Sequence, residues 1–135
     1  MPEKEHIKYF VQQTLECGCP EEVFNNIECK FNVELRSDLR LNAIINIGHR
    51  LLIYMIDVGK HEFTESHLAF LILTAKRERD SKGLNRVRLV VVAADAREQR
   101  SLERAFDRLR GTDKKIHLHF IDQVENIFAS QKEQS

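Results

Sequence analysis

The run Leu39–Val58, LRLNAIINIGHRLLIYMIDV, is the densest apolar stretch in the chain. Leu39, Leu41, Ala43, Ile45 and Ile47 alternate with their neighbours, Gly48-His49 fits a two-residue turn, and an apolar run returns from Arg50 to Val58. This pattern predicts a β-hairpin. The returning strand is apolar on both faces and so belongs in the middle of a sheet.

Upstream, a period of two from Cys29 to Arg36 sets Cys29, Phe31, Val33 and Leu35 on one face and Lys30, Asn32, Glu34 and Arg36 on the other. Ser37-Asp38 supplies a turn, so three strands form an antiparallel meander. Ahead of them, Ile7, Phe10, Val11 and Leu15 make one helical stripe within Glu3–Glu16, and Gly18 sits where that helix stops. Cys19-Pro20-Glu21-Glu22 opens a short helix with Val23, Phe24 and Ile27 inward.

Beyond the hairpin, a helix over Thr64–Asp80 turns Leu68, Leu71, Ile72 and Ala75 inward. A strand over Val87–Ala94, a helix over 96–110, a strand over Ile116–Ile121 and a helix over Gln123–Ser130 follow. Apolar strands separated by helices imply right-handed parallel crossovers. The predicted fold class is α/β, with a mixed sheet of about five strands: a three-strand antiparallel meander, then parallel strand-helix crossovers. It forms one domain over 1–135, with 131–135 as a frayed tail.

Composition fits this picture. A chain of 135 residues that is 42% hydrophobic can bury one ordinary core. The N-terminus MPEKEHIK lacks an apolar signal core, and no apolar run reaches the roughly eighteen residues of a membrane span. A cytoplasmic protein with no membrane partner is expected. Cysteines at only 17, 19 and 29 do not make a secreted disulfide scaffold. Net charge is zero, yet residues 76–115 hold 13 basic against 7 acidic side chains, and the rest of the chain holds 8 against 14. Such polarity predicts a surface for an anionic partner, or head-to-tail association into a homo-oligomer.

Four constellations carry possible chemistry. Asp57, Asp95 and Asp122 end three strands, where a parallel sheet would gather them at one edge. However, Asp95 and Asp122 each precede a Glu by three residues, as helix-capping boxes do. Cys17, Cys19 and Cys29 could make a thiol or metal site, with Cys19 favoured as a thiolate at a helix start. His117 and His119 share a strand face and could chelate a metal, with His61 and His67 as looser candidates. Arg97, Arg100, Arg104 and Arg108 form one stripe of a helix whose opposite face is Leu102, Ala105, Phe106 and Leu109. Neighbouring-turn pairs such as Arg100 with Glu103 would neutralise part of this stripe. The basic loop KRERDSKGLNRVR, with Lys82 and Arg86, precedes it and extends a surface for phosphates or acidic groups. No Gly-rich phosphate loop, Gly-x-Ser-x-Gly elbow or His-Glu-x-x-His pair occurs.

The order of elements and the segment RLNAIINIGHRLLIYMID resemble the restriction-endonuclease-like fold, the PD-(D/E)xK nuclease superfamily, as in N-terminal domains of type I restriction subunits. That resemblance implies an Asp on one hairpin strand and Glu-x-Lys on the next, where two carboxylates hold Mg²⁺ and a lysine assists water. Here Asn42 stands at the Asp position and Met55-Ile56-Asp57 at Glu-x-Lys. With Gly48-His49 as the turn, Asn42 pairs with Met55, which offers no hard oxygen. Glu28-Cys29-Lys30 precedes the hairpin and is a chance match.

The reading that follows is a nuclease-like module without nuclease catalysis and without a cofactor. It is a binding or assembly module for an anionic partner, either nucleic acid or an acidic protein surface, met through Arg97, Arg100, Arg104, Arg108, Lys82 and Arg86. Two alternatives stand beside it: a thiol or metal protein built on Cys17, Cys19 and Cys29, and an active Mg²⁺-dependent nuclease using atypical residues.

Overall fold

A computed structural model gives the structure of residue 11, residues 26–59 and residues 62–122. The helices predicted over 3–16, from Cys19 and over 123–130, the tail 131–135, and Cys17, Cys19 and His61 lie outside these described residues. Within them, the chain forms β1 (Ile27–Arg36), β2 (Leu39–Ile47), β3 (Leu51–Asp57), α1 (Glu65–Ser81), β4 (Arg86–Val92), α2 (Ala96–Arg110) and β5 (Ile116–Ile121). The strands lie in the sheet in sequence order. β1, β2 and β3 are antiparallel, and β3, β4 and β5 are parallel, so the mixed α/β sheet is as expected. Ile27 belongs to β1 and not to a preceding helix, because it pairs with Ile47 and the Gly48 N–H donates to Asn26 O (2.7 Å).

Two apolar clusters sandwich the sheet. Leu52, Tyr54 and Ile56 of β3 and Val87, Leu89 and Val91 of β4 pack with Leu68, Leu71, Ile72 and Ala75 of α1 and Leu102, Ala105 and Phe106 of α2. Leu51, Ile53 and Met55 pack on the other side with Ala43, Ile45, Ile47, Val90, Val92 and Val11. Each strand residue buried to this degree contributes about 2 kcal/mol, which is why a strand apolar on both faces sits at the centre. Both helices share one cluster, as crossovers of one hand advancing in one direction along a sheet require.

The hairpin register differs from expectation by one residue. Gly48 (φ 60°) and His49 (φ 56°) do make the turn, closed by the Arg50 N–H to Ile47 O (3.0 Å). The Arg50 carbonyl, however, accepts from the Asn85 and Arg86 N–H groups (2.8 and 3.0 Å), and the ladder resumes at Ile47–Leu51. Met55 therefore pairs with Ala43, not Asn42.

The β1–β2 ribbon also changes sides. Cys29 and Phe31 pack against the Ala43–Ile45 cluster, while Val33 and Leu35 pack against the helix-side cluster with Leu39 and Leu41. The single apolar face predicted for β1 is thus divided between two cores. Asn32 sits at the crossover in a left-handed conformation (φ 52°), and the pairs Phe31–Ala43 and Val33–Leu41 flank it. The pairing of β2 with β3 stops at Ala43–Met55, so the ribbon leaves the sheet there.

Candidate anion-binding site

α2 begins at Asp95, whose Oδ1 accepts the Glu98 N–H (2.8 Å) while Glu98 Oε1 accepts the Asp95 N–H (3.2 Å). This is the predicted capping box, and it uses the Asp95 carboxylate for backbone satisfaction. Leu102, Ala105 and Phe106 are buried, so the opposite face, with Arg97, Arg100, Arg104 and Arg108, is turned outward and all four are exposed. Arg108 pairs with Glu65 at the start of α1. Arg97, Arg100 and Arg104 hold no ion pair among the described residues, and the anticipated Arg100–Glu103 pair is not formed. Asp107 instead pairs with Arg110 (3.8 Å). Between α2 and the start of α1, Arg104 and Arg108 line a groove of about 360 Å³ with Phe63, Glu65, Glu98 and Ser101.

Lys82 and Arg86 do not extend this stripe. α2 runs antiparallel to the parallel strands, so Arg97 stands at their C-terminal edge, whereas Lys82 and Arg86 stand at the N-terminal edge. Lys82 Nζ donates to Glu78 Oε2 (2.8 Å), and Glu78 Oε1 accepts from the buried Tyr54 hydroxyl (2.5 Å). Burial, then this bond to Glu78, push the Tyr54 phenol well above its ordinary range. Lys82 is thereby part of the anchor that holds α1 on β3. Arg86 alternates with Val87 and so lies on the sheet face away from α1 and α2.

Asn42, Met55 and Asp57 are partly brought together. Asn42 lies between Leu41 and Ala43, which face opposite cores, and its Oδ1 reaches the Asp57 N–H (2.7 Å) at the end of β3. Asp57 Oδ1 accepts the Gly59 N–H (2.8 Å), closing a local turn. Met55 is fully buried and faces the second core. These three residues offer one locally engaged carboxylate, an amide and a thioether, which is a poor set for Mg²⁺. Asp57, Asp95 and Asp122 follow strand ends at one edge of the sheet, but no three His, Cys, Asp or Glu groups among the described residues are placed to hold a metal.

Cys29 is half-buried beside the second core, and burial pushes its thiol up to about 11, far from a reactive thiolate. His67 is buried in a cap. Its Nδ1 accepts the Thr64 N–H (3.0 Å), so Nε2 carries the proton toward Asp38 Oδ2 (3.0 Å). Thr64 Oγ1 is 3.2 Å from the same Nδ1, but the Thr64 N–H already occupies that lone pair, leaving no base to activate the hydroxyl. The link instead ties the β1–β2 turn to the start of α1, reinforced by Arg36, which donates to Asp38 (2.6 Å) and lies over the Phe70 ring.

His117 and His119 do share a face of β5, and Arg88, the last residue of the predicted basic loop, joins them there, a placement the sequence reading did not make. Arg88 Nη1 donates to His119 Nε2 (2.8 Å), which occupies the lone pair that metal ligation would need. The available signal was parity: Arg86 and Arg88 are the only polar positions in an otherwise apolar strand, two residues apart like the histidines. Comparison of the chain with protein-family models, curated proteins and solved structures finds no match.

Proposed function

We propose that the chain is a non-catalytic binding module that lays the outer face of α2 against a nucleic-acid backbone. The observation that carries this reading is the row of exposed arginines, Arg97, Arg100 and Arg104, without carboxylate partners among the described residues. From Arg97 to Arg108 the face spans roughly 16 Å, enough to meet several successive phosphates. Guanidinium forks suit that contact better than point charges do. The restriction-endonuclease-like resemblance enters the proposal as ancestry. In that view Asn42, Met55 and Asp57 mark a place where metal-dependent cutting has been lost and binding retained.

A mobility-shift titration over a range of salt tests it. Three phosphate contacts predict a log–log slope of roughly −2 to −3 on duplex DNA. The variant R97E/R100E/R104E abolishes the shift, with its thermal midpoint unchanged because these side chains are exposed. Binding that is absent at low salt, or insensitive to that variant, sinks the reading.

A further inference from the structure

We propose that Arg86, Arg88, His117 and His119 form a binding site for a phosphate-class oxyanion on the sheet face opposite α1 and α2. The placement follows from strand alternation. Val87, Leu89 and Val91 of β4 and Ile116, Leu118 and Phe120 of β5 pack into the helix-side core, which leaves the four residues between them on the other face. Register brings them together: Arg88 pairs with His117, and His119 pairs with Val90, two residues further along β4.

Among the described arginines that are not exposed, Arg88 differs from the other three in having no carboxylate. Arg79 has Asp113 and Asp80, Arg36 has Asp38, and Arg110 has Asp107. Arg88 is half-buried, yet among the described residues its one polar partner is His119, and no carboxylate there pairs with Arg88 or Arg86. Its Nε, and His117 Nε2 alongside, are buried with no hydrogen-bond partner among the described residues. A partly desolvated cation left with unpaired N–H groups is costly, and the missing component is an acceptor bearing negative charge. A tetrahedral oxyanion supplies it, because its oxygens can accept from guanidinium and imidazolium donors at once.

The histidines register the same field. Burial, then Arg88, then His117 push His119 down to about 4. Burial, followed by Arg88, Arg86 and Arg110, lowers His117, with Asp113 opposing weakly. An anion seated among these groups reverses the electrostatic part and takes over the Arg88 Nη1–H, which frees His119 Nε2 for a proton, so binding takes up protons and tightens as pH falls toward the histidines' titration range. The groove of about 410 Å³ between β5 and α2 touches both histidines but is also lined by Glu103 and Asp107, so the anion's seat is the sheet face and not that groove.

This site is independent of the α2 reading, and inorganic phosphate is its probe. Imidazole resonances of His117 and His119 are followed against pH with and without phosphate, at constant ionic strength maintained with chloride. Phosphate is expected to raise both midpoints, by about one unit or more for His119, as for a charge brought within a few ångströms. Arg88→Met weakens the response about tenfold or more, and Arg88→Lys restores part of it. Should Arg88→Met fail to fold, His119→Gln and the wild-type titration give the answer. Midpoints that do not move with phosphate, or a response unaltered in both Arg88→Met and His119→Gln, overturn the site. R97E/R100E/R104E in the same titration separates the two proposals: loss of the phosphate response there places the anion on α2 and also overturns the sheet-face site.

Discussion

Asn42 Oδ1 accepts the Asp57 N–H at the point where β2 has already left β3, supplying with a side chain the acceptor that a backbone carbonyl would provide in a longer ladder. A part-buried N–H left without a partner costs about 1–2 kcal/mol, so Asn42→Ala is expected to lower the unfolding free energy by that amount, read as a lower urea midpoint with an unchanged slope. Asn42→Asp keeps the acceptor and loses less. An alanine variant as stable as wild type would falsify the role given to this amide. The amide at position 42 was legible in the chain, but its contact with Asp57 was not. Assigning that contact required the register, and the register turned on whether Arg50 paired or gave its carbonyl to β4.

At the level of elements, α2 was legible to the residue. Its capping box and its stripes depend on neighbours no more than four residues apart, which a one-dimensional pattern contains. Asp95→Ala should therefore cost about 1 kcal/mol, and Asp95→Asn distinctly less, read as shifts in thermal midpoint by circular dichroism. If alanine and asparagine behave alike, the cap is not what holds this end. β1 shows the opposite case. Its alternation was visible, but the division of Cys29 and Phe31 from Val33 and Leu35 between two cores arises from twist at Asn32, which the period of two does not encode.

Across the whole molecule, the C-terminal end of α1 is locked to the segment after α2. Arg79, buried against the core, makes a two-pronged bond with Asp113 (3.1 and 2.8 Å), and Lys76 adds a bond to the Arg110 carbonyl (3.3 Å). The Arg79 guanidinium, assisted by the Lys115 N–H, holds the Asp113 carboxyl down to about 2, below its usual 3.8. Because the folded value is depressed, this stabilisation is complete above the usual value and is lost as pH falls from about 4 to about 2. Acid unfolding of the wild type should steepen in that window, and Asp113→Asn should flatten it while lowering stability at neutral pH by about 3 kcal/mol. An acid limb identical in the variant would remove Asp113 from the account. The same scale explains the charge polarity along the chain. Of the thirteen basic side chains of residues 76–115, Arg79, Lys82 and Arg108 are engaged by Asp113, Glu78 and Glu65, while Arg97, Arg100 and Arg104 face outward on α2 and Arg86 and Arg88 lie across the sheet.

The amino-acid sequence by itself determined the order and kind of the described elements, the central place of β3, the cap of α2 and the outward arginines. Each of these follows from short-range periodicity and from the need to bury apolar side chains. Only the tertiary structure decided which residues meet across strands. Asn42 reaches Asp57 while Met55 turns away, Lys82 is spent on Glu78, and Arg88 comes to rest beside His119. The physical reason is that a strand's period of two assigns residues to alternate faces but leaves register, twist and neighbour unspecified. A shift of one residue, here made by the Arg50 carbonyl, changes which side chains confront one another.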